Sequence, residues 1–488
     1  MTDRVPSHAS TRHNIPTETN SHQNATASRL IRTSLMLLLI ALPCPALFAQ
    51  NGGQGGNFPG GILVHPNGFL DQSLNTQPIT STQRKQLKQA AAKLLPEDLN
   101  TPSALRCLSL RQLEQALAAA GTTDHSALPP ELQFPGGLTR IDFVMLTDSG
   151  DDLLIAGPAE GFAPIRGGRM VGTTSGRPVL CLQDLLIALQ DTDILQRAGC
   201  SIDPDPERLA SSQAWLANNS SPATLPVATA RLEHMIRLLG NWHITTFGVP
   251  EDSRMALAMI EADYLMKRIA IGIEPTGVRG MKSSLALAKP GDNMMRRWWF
   301  APNPQCLTHD GQHQIWNFQG PRWILRAQEE ILDASGNLID SPTAEGSSSE
   351  FAQLFNQHMD PLAEQFVAFA DLQNTFDLLM TAAILRDCIA RGTLSWTPTL
   401  MEDPDTCPTL HYPVPRESPS LLKTKNGRGG LLIGAFTGGV HLPAETLVQN
   451  AAVTSSPSTG RLPERPSSDA FPDGQWWRDP QLPAKSGQ

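Results

Sequence analysis

The sequence predicts a mixed α+β fold, and two patterns indicate it. Through residues 161–292, segments with helical spacing of apolar residues alternate with short strands, which indicates an α/β region. On either side, over 62–160 and 293–400, apolar runs bounded by turn residues favour antiparallel hairpins accompanied by helices. A chain of 488 residues is long enough for two or three domains with sizeable cores.

Residues 1–49 have the layout of a secretory signal peptide behind a long polar leader. In "RLIRTSLMLLLIALPCPALFAQ" (29–50), two arginines precede a short apolar run, and Ala49 is a small residue suited to cleavage. A buried helix is the alternative, and the run is too short to span a bilayer stably. We therefore expect an exported protein, periplasmic or secreted, cleaved near Ala49 and without a transmembrane helix in the mature chain. A glycine-rich linker follows over 50–61.

The region 62–160 is expected to contain hairpins and helices. "ILVHPNGFL" (62–70) predicts a hairpin, because a Pro-Asn-Gly turn separates its two apolar ends. Helices are predicted near 81–95 and 109–120, the second beginning at a serine cap and ending before a glycine. "RIDFVMLTDSGDDLLIAGP" (140–158) predicts a second hairpin.

The α/β region is expected to include at least one βαβ unit. "HITTFGV", "PEDSRMALAMIEADYLMK" and "RIAIGIEP" follow one another over 243–275 and predict strand, helix and strand. Ile269, Ile271 and Ile273 alternate with smaller residues, as in a strand with one buried face. The two strands would then be parallel and joined by a right-handed crossover.

Polar residues at the end of that helix are the first candidate binding site. Asp263 and Lys267 are four residues apart in the order that favours an exposed ion pair, and Arg268 can lie on the ring of Tyr264. Glu274 falls at the predicted carboxyl end of a strand, where parallel sheets often place their sites. The alternative, which the pattern favours, is that these residues only stabilise the helix end.

Aromatic residues in the region 293–400 are the second candidate. "RRWWFAP", "IWNFQGP" and "RWILRAQ" predict a small antiparallel meander between 296 and 328. Trp298 would face one side of the sheet and Trp299 the other, beside Arg297, so that the rings either bind a sugar or protein partner or fill the core. A long helical stretch follows over 350–391.

The C-terminal region 401–488 is rich in proline, serine and glycine, which predicts a largely disordered tail. The exception is "GLLIGAFTGGVHL" (430–442), an apolar segment that favours either a late strand or a linker.

Six cysteines remain after the signal peptide, an even number that permits disulfides in an oxidising compartment. Small buried thiols are the alternative. The residues concerned are Cys107, Cys181, Cys200, Cys306, Cys388 and Cys407.

Composition and motifs exclude several classes of function. A net charge of −9 without a basic run argues against nucleic-acid binding. "GVRGMKSS" (277–284) lacks the glycine directly before lysine that a phosphate loop needs, and His309 and His313 lie around a turn without a third ligand nearby in sequence. No recognisable catalytic motif occurs, and we expect neither a metal nor a cofactor.

Several phrases of the sequence resemble an uncharacterised family of exported bacterial proteins, defined only as a domain of unknown function. These phrases, which would extend the resemblance over roughly 60–400, are "IAGPAEGF" (155–162), "GRPVLCLQDL" (176–185), "CSIDPDPE" (200–207), "EADYLMKRIAIGIEP" (261–275) and "RRWWFAP" (296–302). The resemblance implies export and an α+β body, and it transfers no site residue. We therefore expect a non-catalytic binding or scaffolding protein of the cell envelope, with an unknown protein or an envelope polymer as its partner. An exported hydrolase acting on envelope polymer or peptide is the alternative.

Overall fold

The computed structural model describes residues 60–64, 70–74, 79–165, 168–219, 221, 224–289, 295–332, 338–341, 346–420, 422–427, 430–454, 465–467, 471 and 474–479. The expected signal peptide (1–49) and residues 50–59 of the expected linker lie outside this part of the chain. The fold is mixed α+β, with a helical stretch late in the chain, as the sequence predicts.

Local sequence signals place the first helices where they were expected. Thr80 forms a capping box with Gln83, and the Ser109 hydroxyl accepts a hydrogen bond from the Gln112 N–H. In chain order the helices of the described residues are α1 Ser81–Leu94, α2 Glu97–Asn100, α3 Leu110–Ala120, α4 Pro130–Gln133, α5 Leu182–Gln190, α6 Asp193–Arg197, α7 Pro206–Asn218, α8 Leu225–Leu239, α9 Arg254–Ile271, α10 Ser284–Leu287, α11 Ser347–Gln357, α12 Met359–Gln365, α13 Val367–Ala390 and α14 Ala444–Gln449.

Strands alternate with these helices and form two large sheets and two small hairpins. Their bounds are β1 Gly60–Val64, β2 Leu70–Leu74, β3 Ser103–Ser109, β4 Phe143–Leu146, β5 Leu153–Ala159, β6 Phe162–Pro164, β7 Met170–Gly172, β8 Ala198–Pro204, β9 Asn241–Phe247, β10 Met295–Pro302, β11 Leu307–His309, β12 Ile315–Phe318, β13 Trp323–Leu332, β14 Leu338–Ser341, β15 Glu417–Pro419, β16 Leu422–Gly427, β17 Gly430–Leu442, β18 Ala452–Val453 and β19 Trp477–Arg478. The predicted hairpins are confirmed, as the antiparallel pairs β1–β2 and β4–β5.

The larger sheet has eight strands in the order β14-β13-β10-β17-β8-β9-β15, with β16 also paired to β17. Strand β17 lies between β10 and β8, so the segment 430–442 is a central strand, the first of the two alternatives expected for it. The prediction of a largely disordered tail is wrong for its neighbours β15, β16 and α14. The glycines of β17 are required by close packing of the backbone. Gly438 has φ +119°, and a Cβ there would lie 1.8 Å from the Trp298 carbonyl oxygen. The glycines that obscured the strand in the sequence are therefore part of its construction.

The second sheet has seven strands in the order β18-β11-β12-β4-β5-β3-β19. Its last strand also comes from the tail, because Trp477 and Arg478 pair with β3 and the Ser109 N–H donates to the Trp476 carbonyl oxygen. The predicted single meander is wrong as well. Strands β10 and β13 pair with each other in the eight-stranded sheet, whereas β12 pairs with β4 in the seven-stranded one. Alternation of apolar residues identified these strands but carried no information on their partners.

Helix α9 replaces the predicted βαβ unit. It begins at the Ser253 cap and continues to Ile271, and Gly272 ends it in the left-handed conformation. Ile269 and Ile271 are buried in this helix and do not form a strand. Strands β8 and β9, which flank α7 and α8, are antiparallel. The alternation of isoleucines was misleading because α9 is buried on almost all sides, so its sequence lacks a polar stripe that would reveal a helical period.

The late helical stretch is confirmed, but its breaks fall at His358 and Phe366. Pro361 lies in the first turn of α12, where a helix does not need the missing N–H. Helix α13 is buried along most of its length, and side chains from it, from α5 and α9 and from both sheets belong to one hydrophobic core.

All six cysteines named above are buried free thiols in the structure, which corresponds to the second of the two alternatives left open by the sequence. They lie on separate elements of the fold, for example Cys107 on β3, Cys200 on β8 and Cys388 on α13. Burial raises the pKa of the Cys181 and Cys306 thiols to about 12, which leaves these two protonated and unreactive.

Candidate functional site

The Asp263–Lys267 pair on α9 is buried, and the prediction of an exposed ion pair is wrong. The two side chains are 0 % and 1 % exposed, and Lys267 Nζ lies 2.6 Å from Asp263 Oδ2. Lys267 also donates to the Gly438 carbonyl oxygen at 3.0 Å and the Ile202 carbonyl oxygen at 3.4 Å. Helix α9 thereby ties together β17 and β8, the two strands it packs against.

The charges and contacts around this pair indicate a structural role. Burial raises the pKa of Asp263 to about 6, while the attraction of Lys267 opposes the rise. Asp263 Oδ1 has no hydrogen-bond donor among the described residues. A lysine enclosed by two carbonyl oxygens and one carboxylate has all three donors occupied, so the described contacts leave none for a ligand.

Tyr264, Arg268 and Glu274 form a second, separate group at the end of α9. The Arg268 guanidinium lies 5.8 Å from the centre of the Tyr264 ring and 3.1 Å from Glu274 Oε2. Glu274 was expected at the carboxyl end of a strand, and this prediction is wrong. The residue follows the end of α9, where its N–H donates to the Arg268 carbonyl oxygen. Tyr264 and Glu274 are buried, so this group stabilises the helix end.

The aromatic candidates separate onto two faces of the eight-stranded sheet. Trp298 is fully buried and packs edge-on against Phe351, with ring centres 5.1 Å apart. Arg297 and Trp299 point to the opposite face, and the guanidinium lies 4.7 Å from the indole centre. The expected alternation along β10 is therefore confirmed, and only its outward residues can bind a partner.

We call this surface the outer face. It consists of the residues whose side chains alternate away from α9 and α13, and strand register arranges them in rows across the sheet. One row holds Arg297, Asp203 and His243, with Arg297 NH2 lying 3.6 Å from Asp203 Oδ2. The next rows are Arg326, Trp299, Gly439, Ser201 and Thr245, and then His441, Gly199 and Phe247.

A buried chain of five alternating charges joins α5, α9 and α13, and sequence reasoning missed it. Arg169, which precedes β7, contacts Glu261 and lies 3.0 Å from Asp371 Oδ2 through Nε. Arg254 contacts both Asp371 and Asp184. The members are separated by up to two hundred residues in the sequence, and no local spacing relates them.

The charges in this chain do not balance, because three carboxylates face two arginines. Burial raises the pKa of Asp184 to about 6 against the attraction of Arg254, and Asp371 adds repulsion. The pKa of Asp371 is lowered, since its two arginines outweigh the effect of burial. Asp184 Oδ1 has no hydrogen-bond donor among the described residues. Asp184, at one end of the row of charges, is therefore the carboxylate whose negative charge is least stabilised.

Metal chemistry finds no support in the described part of the chain, where no three His, Cys, Asp or Glu side chains are grouped to hold an ion. His309 and His313 stack as parallel rings with centres 4.0 Å apart, and the His309 Nδ1 accepts a hydrogen bond from the Gly311 N–H. Among the described helices, none has both the length and the apolar character needed to cross a bilayer.

Residues 200–283 match the family model described as a protein of unknown function (DUF1598). The DUF1598 segment begins in β8, contains α7, α8, β9 and α9, and ends just before α10. It therefore carries the buried pair on α9, two members of the charge chain and the β8–β9 side of the outer face. A search of curated proteins and a search of solved structures each found no match to the chain. The wider resemblance expected over 60–400 stays a prediction.

Proposed function

We propose that this is an exported, non-catalytic binding or scaffolding protein that contacts a component of the cell envelope through the outer face. The observation that supports the proposal is the pairing of Arg297 with Trp299 on the side of the sheet that faces away from the core. His243 and Thr245 on β9 and His441 on β17 are exposed on the same face, so it is accessible on two strands. Arginine and tryptophan are enriched among residues that dominate binding energy.

The state of the carboxylates also favours binding over catalysis. Asp263 and Glu274, the two acids expected from the sequence, are engaged by Lys267 and Arg268 and are both buried. Asp184 and Asp263 have pKa values of about 6, in the range of a general acid, and this is the observation that favours the hydrolase alternative. Both side chains are at most 1 % exposed, however, so a substrate could not reach either one in this conformation.

The test is a pull-down from native envelope with the mature protein. We expect wild type to retain a component that the Arg297→Ala/Trp299→Ala variant loses. Arg391→Ala is the matched control, because Arg391 also pairs with a carboxylate, at 2.7 Å from Asp387, but lies on α13's end. Equal retention by all three proteins would refute the outer face as the binding surface. Release of soluble fragments from the envelope by wild type would favour the hydrolase.

Export is tested separately, because residues 1–59 lie outside the described structure. N-terminal sequencing of the mature protein should begin at or near Gln50. A cytoplasmic product that retains residues 29–49 would contradict export.

A further inference from the structure

We infer that the outer face binds an acidic glycan, that is, a chain of pyranose rings that carry carboxylates. This inference rests on the proposed function and names the ligand class. It follows from which side chains share the face, how the glycines leave space between them, and how the charges are distributed.

Trp299 supplies a platform for one sugar ring. It is partly exposed, and its neighbour across β17 is Gly439, which has no side chain to stand beside the indole. The Arg297 guanidinium lies 4.7 Å from the indole centre, and the partly exposed remainder of the ring offers an apolar surface that suits the C–H face of a pyranose. Arg326 on β13 lies directly opposite Trp299 and is exposed, so its guanidinium can form a bidentate pair with a carboxylate on the same sugar.

A second ring lies further along the face. Phe247 covers Gly199, since a Cβ on that glycine would lie 2.3 Å from the ring, and His441 packs 6.1 Å from the Phe247 centre. Strands β10 and β9 are three places apart in the sheet, and Phe247 lies one row beyond the row of Trp299, so the two residues are separated by about 16 Å. That distance requires a ligand with more than one sugar ring.

Polar side chains occupy the surface between the two rings. Ser201 and Thr245 are paired across β8 and β9, and Asp203 and His243 form the next pair. Hydroxyl and imidazole groups can donate to and accept from the hydroxyls of a sugar, and a carboxylate can accept from them. Among the charged side chains described on this surface, the acids Asp203 and Glu417 lie on β8 and β15, whereas the arginines lie on β10 and β13. We therefore place the carboxylate of the ligand at the β10–β13 end.

A protein partner fits this surface less well. Protein interfaces have an apolar centre that excludes water. Among the described residues, the large hydrophobic side chains that are exposed are Val227, Ile273 and Val453, and none belongs to the outer face. A single partly exposed indole among polar groups is a better match for a sugar than for a protein hot spot.

The test uses three soluble polymers and measures affinity by retardation in native gels and by calorimetry. Polygalacturonate has both rings and carboxylates, dextran has rings alone, and polyglutamate has carboxylates alone. Wild type should bind polygalacturonate, and Trp299→Ala and Arg326→Gln should each weaken that binding by about tenfold or more. Trp299→Phe, which keeps a ring, should keep most of the affinity, and Arg391→Ala should bind as wild type does.

Three results would overturn the inference. They are failure of wild type to bind polygalacturonate, equal affinity for polyglutamate, and full affinity of the Trp299→Ala variant. If polygalacturonate does not bind but the envelope pull-down still depends on Arg297 and Trp299, the glycan is wrong and the binding surface stands. If neither experiment depends on these residues, the proposed function fails as well.

Discussion

Replacing Asp263 by alanine should destabilise the protein severely, because the change leaves Lys267 charged and buried. In the folded protein the ammonium group contacts one carboxylate and two carbonyl oxygens and is almost inaccessible to water. The carbonyl dipoles remain in the variant, but the only described countercharge within hydrogen-bond distance is lost. Removing one partner of a buried ion pair lowers the free energy of unfolding by about 3–5 kcal/mol.

Two control variants separate the loss of a buried countercharge from the loss of packing and from the loss of an exposed ion pair. Met259→Ala, at a fully buried position on α9, should lower the free energy of unfolding by about 2–5 kcal/mol through loss of packing. Arg391→Ala breaks an exposed pair with the same i,i+4 spacing and should lower it by only about 0.3–0.5 kcal/mol. The double variant Asp263→Asn/Lys267→Met removes both charges, so its loss should be smaller than that of Asp263→Ala.

Urea unfolding of the four variants, followed by far-UV circular dichroism, measures these differences. A loss of less than about 1 kcal/mol for Asp263→Ala would place the pair in the range of surface ion pairs and refute the buried arrangement. A double variant less stable than Asp263→Ala would show that the pair contributes more than its replacement by uncharged groups can restore.

Three further predictions concern other parts of the fold. The pKa of Asp184 is raised from 3.8 to about 6 in the folded state, so between these values the folded protein binds a proton more tightly than the unfolded chain does. The stability that this proton contributes is therefore lost as the pH rises through that window. In paired urea melts, wild type should gain about 1–2 kcal/mol relative to Asp184→Asn when the pH is lowered from about 7.5 to about 5. The six buried thiols should be unreactive towards a thiol reagent in the native mature protein and all react after denaturation, whereas fewer than six would indicate a disulfide. Deleting residues 474–488 should lower the free energy of unfolding by about 2–4 kcal/mol, because buried Arg106 loses its ion pair with Asp479 and β3 loses its pairing with β19. An unchanged melting curve would show that the tail does not pack on the sheet.

The sequence was sufficient for the elements whose signals are local. The Ser109 cap, the glycine that ends α3 and the hairpin of 140–158 depend on residues a few positions apart, and all are present. The alternation of Trp298 and Trp299 on β10 is local in the same sense, and it correctly placed the two rings on opposite faces.

What the sequence did not show depends on distant residues. Burial of Asp263 and Lys267 could not be read from their spacing, because an exposed and a buried pair share the same i,i+4 pattern. It is the backbone of β17, more than 160 residues later, that encloses Lys267. The chain of charges from Glu261 to Asp184 is likewise assembled by packing of α5, α9 and α13, and its members have no common motif.

The buried pair and the outer face are connected through the backbone of two strands. Lys267 donates to the carbonyl oxygens of Ile202 and Gly438, and each of these residues lies between two outward-facing neighbours. Ile202 separates Ser201 from Asp203, and Gly438 precedes Gly439, the residue beside Trp299. Asp203 and Arg297 in turn influence the pKa of Asp263, so the charges on the two sides of the sheet interact.

This connection predicts a difference between two classes of variant. Trp299→Ala should weaken binding to the outer face while leaving the urea midpoint almost unchanged, since its side chain lies on the partly exposed side of the sheet. The double variant Asp263→Asn/Lys267→Met, which removes the inner charges, should weaken binding as well, because the backbones of β8 and β17 lose the donor that fixes both of them against α9. Affinity and stability measured on the same samples distinguish these cases. If the double variant bound as tightly as wild type, the outer face would be positioned by the sheet alone, and the pair on α9 would serve only to stabilise the core.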